Sequence, residues 1–287
     1  MRYSKVQIRD VLESLYGRYN HRTFIKPDPL QFVYRYSDPA DKEIAGFLSA
    51  GLAYGRVEQI EKSLTELFGR MGESPYAFVR GFGKSERKKL QGFKHRFTTG
   101  RDIADLLALL KNVLAEFGSI EIFFARGYNS TDKNIIAALS RFCDSLLDMH
   151  AKTGDGSVRR GLRYLLAGPA GGSACKRLNL FLRWMVRKDD VDPGLWTSID
   201  KSKLIVPVDV HMARLCRILG FHGGKTASLS TTVKITKSFA EIAPADPVKY
   251  DFALSRIGIL ENCTGRHRSG CEFCELFKFC FQKQGEQ

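Results

Sequence analysis

The chain contains 287 residues, of which 44% are hydrophobic and 26% charged, so it is long enough for one or two domains and is neither disordered nor collagen-like. No run of about eighteen uncharged apolar residues exists to span a bilayer. The 45 lysines and arginines outnumber the 31 aspartates and glutamates and give a formal net charge of +14. This charge predicts attraction to polyanions or to an anionic surface. Because no predicted helix pairs a basic face with an aromatic apolar face, a membrane partner is not expected.

The first 20 residues predict a helix, since apolar residues recur there at helical spacing at Val6, Val11, Leu12 and Leu15. The same stretch lacks the apolar segment of a signal peptide. We therefore expect a cytoplasmic protein whose thiols stay reduced.

Apolar residues recur at three- and four-residue steps through most of the remaining chain. This pattern predicts a helical hairpin over 43–68, with Gly51 and Gly55 marking its turn. Further helices are predicted at 102–117, 134–149, 176–187, 210–219, 231–243 and 247–260. No run shows sustained two-residue alternation bounded by turns, so the predicted fold class is all-α.

A basic stretch at 80–101 carries eight lysines and arginines against a single acidic residue, Glu86. Such a charge run is typical of a solvated face. The interleaved aromatic residues Phe82, Phe93 and Phe97 favour, as the alternative, a surface that faces a polyanion.

Four of the seven cysteines lie within eighteen residues, with the spacing Cys263-x7-Cys271-x2-Cys274-x5-Cys280. In a reducing compartment this clustering predicts metal ligation rather than disulfides. Zinc and a [4Fe-4S] cluster both accept four thiolates, and the presence of only one short C-x2-C step favours the iron–sulfur cluster. The remaining cysteines, Cys143, Cys175 and Cys216, are expected in the core because they fall in apolar helical patterns.

Between the first two of the four cysteines lies a short basic segment, which we call the basic tongue (264–270). It contains Arg266, His267 and Arg268, side chains suited to contacting phosphate oxygens. A ligated ion or cluster would hold this tongue rigid.

Three segments resemble the helix-hairpin-helix DNA glycosylase superfamily, in particular its endonuclease III branch. The cysteine spacing is similar to the C-x6-C-x2-C-x5-C iron–sulfur loop of that branch, with one residue added. Residues 206–217, V-P-V-D-V-H-M-A-R-L-C-R, resemble the V-D-T-H-x-x-R-x-x-x-R segment that carries the catalytic aspartate. Residues 47–50, F-L-S-A, resemble the L-L-S-A of the helical barrel domain.

The resemblance implies a two-lobed helix-hairpin-helix glycosylase-like fold. A helical barrel domain with a degenerate helix-hairpin-helix would span 41–187, and a second lobe would combine 1–40 with 204–287 and its four-cysteine loop. It also implies a [4Fe-4S] cluster on Cys263, Cys271, Cys274 and Cys280, with zinc as the alternative. Duplex DNA would be the partner of a monomeric, nucleoid-associated protein without an obligate protein partner.

The resemblance further implies a catalytic carboxylate and a candidate nucleophile. Asp209 would stabilise the cationic sugar, and it also precedes a predicted helix, where an aspartate is a favoured N-cap. Residues 166–176, L-A-G-P-A-G-G-S-A-C-K, are similar to the family's L-P-G-V-G-x-K hairpin, which makes Lys176 the candidate nucleophile. The backbone of Gly171, Gly172 and Ser173 would bind DNA.

Lys176 has a second interpretation, as a phosphate contact or a solvated lysine. It shares one face of the predicted helix with Asn179, Arg183 and Arg187, and such a face is typical of any surface helix.

The implied activity is that of a base-excision DNA glycosylase, either monofunctional or with an AP-lyase activity, that removes a damaged or mispaired base from duplex DNA. The alternative is a non-catalytic iron–sulfur or zinc protein of the same fold that binds nucleic acid.

Three differences from the family pattern favour that alternative. Ala174 replaces the second hairpin glycine, Gly51 replaces a glutamine that fills the gap left by an extruded base, and the segment before Asp209 is longer. This longer segment carries Trp196, which would shape the pocket wall or lie against a base.

Overall fold

The computed structural model describes residues 3–153, 157–224 and 226–281. The helices of the first half, in chain order, are α1 (Lys5–Tyr19), α2 (Pro39–Gly51), α3 (Val57–Met71), α4 (Pro75–Arg80), α5 (Lys84–Lys89), α6 (Gly100–Phe117) and α7 (Ile120–Ala125). Those of the second half are α8 (Ile136–Thr153), α9 (Arg160–Leu165), α10 (Lys176–Val186), α11 (Val210–Ile218), α12 (Leu229–Ala240), α13 (Asp251–Ile259) and α14 (Phe277–Phe281).

Helices make up most of the described chain, which confirms the predicted all-α class. The exception is a β-hairpin of two-residue strands, β1 (Lys94–His95) and β2 (Thr98–Thr99), inside the basic stretch. Strands this short are below the length at which sequence alternation is detectable. Within the described segments, no helix combines the length and the apolar character needed to cross a membrane.

The predicted N-terminal helix is present as α1. Ser4 caps the helix and exchanges hydrogen bonds with Gln7 in a capping box. Ile8 and Leu12 lie in the core, whereas Val6 is 64% exposed. The inward face of α1 thus includes Leu12 and Leu15 of the predicted pattern but not Val6, and the helix packs against α13.

The predicted helical hairpin over 43–68 is confirmed as α2 and α3. Helix α2 lies close against α10, since a side chain at Gly46 would begin 2.9 Å from the Met185 Cε atom. A short 3-10 helix, Pro29–Arg35, also packs on α2. Position 41 is the predicted boundary between the two lobes, and residues on both sides of it are in contact. The division into two lobes therefore stays a prediction.

The polar face of α10 points inward, contrary to the solvated face that its sequence suggested. Asn179, Arg183 and Arg187 are each buried. Arg183 pairs with Asp192 and Asp251, and Arg187 pairs with Asp189, Asp192 and Asp246. Paired guanidiniums tolerate burial because each carboxylate offsets part of the desolvation cost. These ion pairs fix α10 to two later parts of the chain.

The segment 188–203 shapes the interior rather than a base-binding wall. Trp196 is buried and donates its indole N–H to Glu43 Oε1 at 2.8 Å. Glu43 also accepts the backbone amides of Ile120 and Glu121 and so caps α7. Burial raises the pKa of Glu43, against the lowering effect of these donors. The hypothesis that Trp196 lies against a base was therefore wrong.

Candidate functional site

Lys176 and Asp209 meet in a cleft although thirty-three positions separate them in the sequence. Lys176 is the first residue of α10, and Asp209 is the N-cap of α11. The Lys176 Nζ atom lies 3.3 Å from Asp209 Oδ2, and the two side chains are 34% and 32% exposed. Both line a cavity of about 620 Å³ together with Tyr54 and Tyr164. The cleft thus presents an ammonium and a carboxylate side by side, within reach of a bound molecule.

The two oxygens of Asp209 have different partners. Oδ1 accepts the Met212 backbone N–H at 2.8 Å, which is the predicted N-cap bond, while Oδ2 faces Lys176. Burial would raise the pKa of Asp209, but Lys176, the Met212 amide and His211 outweigh it and hold that pKa below its ordinary value. Asp209 is therefore a carboxylate at neutral pH.

Helices α9 and α10 and the segment 166–175 form a helix-loop-helix unit beside the cleft. Gly171 and Gly172 are exposed at its tip, and Ser173 lines the cavity. Gly172 adopts a φ of +73° and donates its N–H to the Pro169 carbonyl at 2.8 Å. The Gly172 amide is thus already used within the loop, whereas the exposed tip remains accessible to a large ligand.

The loop is tied to the helix that follows it. Asn179 donates its side-chain N–H to the Ala174 carbonyl at 3.1 Å, and Ser173 Oγ accepts the Cys175 N–H at 3.1 Å. Cys175 itself adopts a left-handed conformation, with a φ of +48°. These contacts place Lys176 at a fixed distance from the glycine-rich tip.

Arg177 also belongs to this site, although an arginine in a basic helix looks solvated in the sequence. Its guanidinium carbon lies 4.1 Å from the Tyr164 ring centroid and 5.2 Å from that of Tyr54. Arg177 donates to the carbonyls of Gly51 and Tyr164. It makes no ion pair with any described residue, and burial lowers its pKa. Arg177 therefore ties the end of α2 at Gly51 to α9 at Tyr164.

The four clustered cysteines are all partly buried, and none of the seven cysteines, all of which are described, forms a disulfide. Cys263, Cys271 and Cys274 line one cavity of about 380 Å³ with Arg266 and Arg268. Burial raises the pKa of the Cys274 thiol to about 11. In the described chain, no three potential ligands are close enough together to hold an ion. The donor set suits a soft metal in kind, but the thiols are not gathered around one point.

The expected core cysteines Cys143, Cys175 and Cys216 are buried, which confirms their predicted role. Burial raises the pKa of each of these thiols, so they are not reactive thiolates.

Helix α11 carries a link between the cleft and the cysteines. Arg214 donates to His211 Nδ1 at 2.9 Å and to the carbonyl of Cys263. A side chain at Gly265 would begin 2.8 Å from the Arg214 Cδ atom, and its φ of +75° also favours glycine. The helix that Asp209 caps thus also holds the base of the basic tongue.

The basic tongue is exposed, and its structure agrees with a solvent-facing role. Arg266, His267 and Arg268 all lie at the surface. Neither arginine makes an ion pair with a described residue. Both guanidiniums are therefore available for an anion.

The model of a protein family, described as Protein of unknown function (DUF2400), matches residues 28–260, and the chain belongs to this family. The matched region includes Lys176 and Asp209, while the four clustered cysteines follow it. No curated protein and no solved structure matches the chain.

Proposed function

We propose that this member of the DUF2400 family is a base-excision DNA glycosylase that cleaves the N-glycosidic bond of a damaged or mispaired base in duplex DNA. The observation that carries the proposal is the ionised Asp209 beside Lys176 in a half-buried cleft of about 620 Å³. A cavity of this size lies within the range that holds a small organic ligand.

Asp209 supplies the negative charge that the reaction needs. Cleavage of an N-glycosidic bond leaves positive charge on the sugar, and a carboxylate beside the anomeric carbon stabilises it. The base departs with the bonding electrons, and water then adds to the sugar. The lowered pKa of Asp209 keeps it in the charged form at neutral pH.

Lys176 provides the chemistry of an AP-lyase step. After base loss, its neutral amine would add to C1′ of the sugar aldehyde, and water would leave as the imine forms. The Lys176 ammonium must first lose a proton, and the paired carboxylate of Asp209 would accept it. A monofunctional enzyme would instead use Lys176 to position the carboxylate.

The DNA would contact two segments, the loop tip beside the cleft and the basic tongue. Gly171, Gly172 and Ser173 form the loop tip on one side, and Arg266, His267 and Arg268 form the basic tongue. The net charge of +14 supports attraction to the phosphate backbone.

Cys263, Cys271, Cys274 and Cys280 would hold a [4Fe-4S] cluster, with zinc as the alternative. When bound, such a group supplies rigidity to the loop, because its four ligands are spread over eighteen residues. The Arg214 bond to the Cys263 carbonyl would then connect that rigid loop to α11. We further propose a monomeric protein in the cytoplasm, associated with the nucleoid.

A panel of duplexes with oxidised, deaminated, alkylated or mispaired bases tests the proposal. Base release from at least one duplex, lost in Asp209→Asn, is the expected result. If no duplex is cut, or if the variant retains the full rate, the glycosylase proposal fails.

A second candidate function is recognition of DNA without cleavage. The observation that favours it is the ion pair between Lys176 Nζ and Asp209 Oδ2 at 3.3 Å, in which each charged group of the cleft is already engaged by the other. Tight binding to damaged duplexes without base release would support this candidate.

A further inference from the structure

The β1–β2 hairpin carries an exposed aromatic ring close to the cleft. Arg96 and Phe97 form its two-residue turn, between the pairs Lys94–Thr99 and His95–Thr98. Phe97 is 54% exposed. The other two aromatic residues of the basic stretch, Phe82 and Phe93, are buried. Phe97 is therefore the one aromatic ring of that stretch that faces solvent.

Phe97 is attached to the wall of the cleft by other rings. It stacks on Tyr54, with ring centroids 5.1 Å apart and planes at 22°, and it makes a T-shaped contact with Tyr164, with ring centroids 4.6 Å apart. Both tyrosines line the cavity that contains Lys176 and Asp209. A ring stacked on one face in this way can receive a second planar group on its outer surface.

The hairpin is held rigidly beneath this ring. His95 is fully buried, and its ring nitrogens lie 2.9 Å from Ser63 Oγ and 3.0 Å from the Tyr54 carbonyl. The Tyr54 hydroxyl lies 2.6 Å from Thr98 Oγ1 and donates to the His95 carbonyl at 2.9 Å. These contacts hold the hairpin in place, so little conformational freedom would be lost on stacking.

The turn also contains a cationic residue whose backbone conformation is strained. Arg96 has a φ of +53°, a conformation that glycine adopts more readily than arginine. Its side chain lies over Gly55, where a Cβ atom would begin 2.9 Å from the Arg96 Cδ atom. The guanidinium carbon is 5.7 Å from the Phe97 ring centroid, and Arg96 makes no ion pair with a described residue. Strain of this kind at an exposed cation suggests a role for the side chain rather than for the turn.

We propose that Phe97 and Arg96 form a stacking site for an unpaired nucleobase of duplex DNA, at the rim of the cleft. The inference rests on the proposed function, since it assumes that the cleft receives a nucleotide removed from the duplex. Phe97 stacks on the base that is exposed by this removal, and Arg96 contacts the adjacent phosphate. Stacking on an aromatic side chain is independent of sequence because every base has a π-face.

The test compares the affinity of the full chain for two duplexes that differ at one position. One duplex contains a tetrahydrofuran abasic analogue, which leaves the opposite base unpaired, and the other is fully paired. The wild-type protein is expected to prefer the abasic duplex. Phe97→Ala should weaken binding to the abasic duplex by about tenfold, and Phe97→Trp should preserve it. Ile122→Ala, which removes an apolar side chain of equal exposure outside this cleft, should keep the preference.

Arg96→Gly separates a binding role from a structural one. Glycine suits the positive φ, so this variant should unfold at the same or a higher temperature and yet bind the abasic duplex more weakly. Thermal unfolding of every variant identifies any that fails to fold. If Phe97→Ala fails to fold, the affinities of Phe97→Trp and of the wild type for the abasic duplex are compared instead.

The outcomes distinguish the inference from the function on which it rests. If the wild-type protein prefers the abasic duplex and Phe97→Ala keeps that preference, the stacking site is wrong while the proposed function stands. Equal binding of the wild type to both duplexes also overturns the stacking site. If the wild type binds neither duplex, the proposed function fails and the stacking site fails with it.

Discussion

Asp209 holds the first turn of α11 with one carboxylate oxygen and Lys176 with the other. The structural and the chemical interpretations of this aspartate therefore apply to different atoms of the same group. A substitution that keeps the N-cap bond and removes the negative charge can separate the two roles.

Asp209→Asn is expected to lower single-turnover base release by about 100-fold or more, because an amide cannot neutralise a cationic sugar. Since asparagine is as good an N-cap as aspartate, the variant should unfold at a temperature close to that of the wild type. Asp200→Asn is the matched control, because Asp200 caps a short 3-10 helix outside the cleft. A wild-type rate in Asp209→Asn would contradict a catalytic role.

Lys176→Ala is expected to abolish covalent trapping by borohydride on a duplex that contains an abasic aldehyde. Only an amine that forms an imine with the sugar becomes linked on reduction. Lys188→Ala, at an exposed lysine just beyond α10, should trap normally. Persistence of the adduct in Lys176→Ala would assign the nucleophile to another amine, and absence of an adduct in the wild type would indicate a monofunctional enzyme.

Cys271→Ser and Cys274→Ser are expected to remove the visible absorption and the iron of protein purified without oxygen, since thiolate ligands hold iron–sulfur clusters. Cys143→Ala should retain both, because Cys143 is buried in the core. Colourless wild-type protein with stoichiometric zinc would replace the iron–sulfur assignment by a zinc site.

Arg266→Ala and Arg268→Ala are each expected to weaken binding to duplex DNA and to reduce the slope of log affinity against log salt by about 1. Each exposed guanidinium would release about one counterion from the phosphate backbone. Arg126→Ala is a suitable control, since Arg126 is exposed at a different cavity. An unchanged slope in both tongue variants would remove the basic tongue from the DNA interface.

Asp189→Asn is expected to lower the free energy of unfolding by about 2 kcal/mol at pH 6, and by about half as much at pH 3. Burial would raise the pKa of Asp189, but Arg187 and two backbone amides outweigh it and lower that pKa to about 2. A lowered pKa contributes stability above the unfolded value, near pH 4, and this contribution is lost as the pH falls towards 2. Urea unfolding at the two pH values measures the difference.

Asp190→Asn is the control for this pH dependence, because the Asp190 side chain is 74% exposed. It should change stability little at either pH. An equal loss in Asp189→Asn at pH 6 and at pH 3 would contradict the assignment of the effect to the ionised carboxylate.

Most of the helices were predictable from the sequence because their apolar residues recur at helical steps. The predicted helix at 102–117 is α6, with Ile103 and Leu110 buried as the pattern requires. The meeting of Lys176 with Asp209 was expected from a resemblance, not from periodicity, since no local pattern relates two positions so far apart.

The residues whose environments differ from those predicted all have partners that are distant in the sequence. Arg183 and Arg187 look solvated by composition, yet they are buried because carboxylates from distant segments pair with them. The environments of Trp196 and Arg177 likewise depend on contacts made after folding, with Glu43 and with Tyr164. Contacts between residues so far apart cannot be predicted from a single sequence.

The buried arginines of α10 have a consequence for anyone who wishes to isolate the helix-loop-helix unit. A fragment covering 160–187 would retain Arg183 and Arg187 but lose all of their carboxylate partners. Its apolar face would also lose α2. We therefore expect the isolated unit to lose its native packing, because the carboxylates that pair with its buried arginines lie as far along the chain as Asp251.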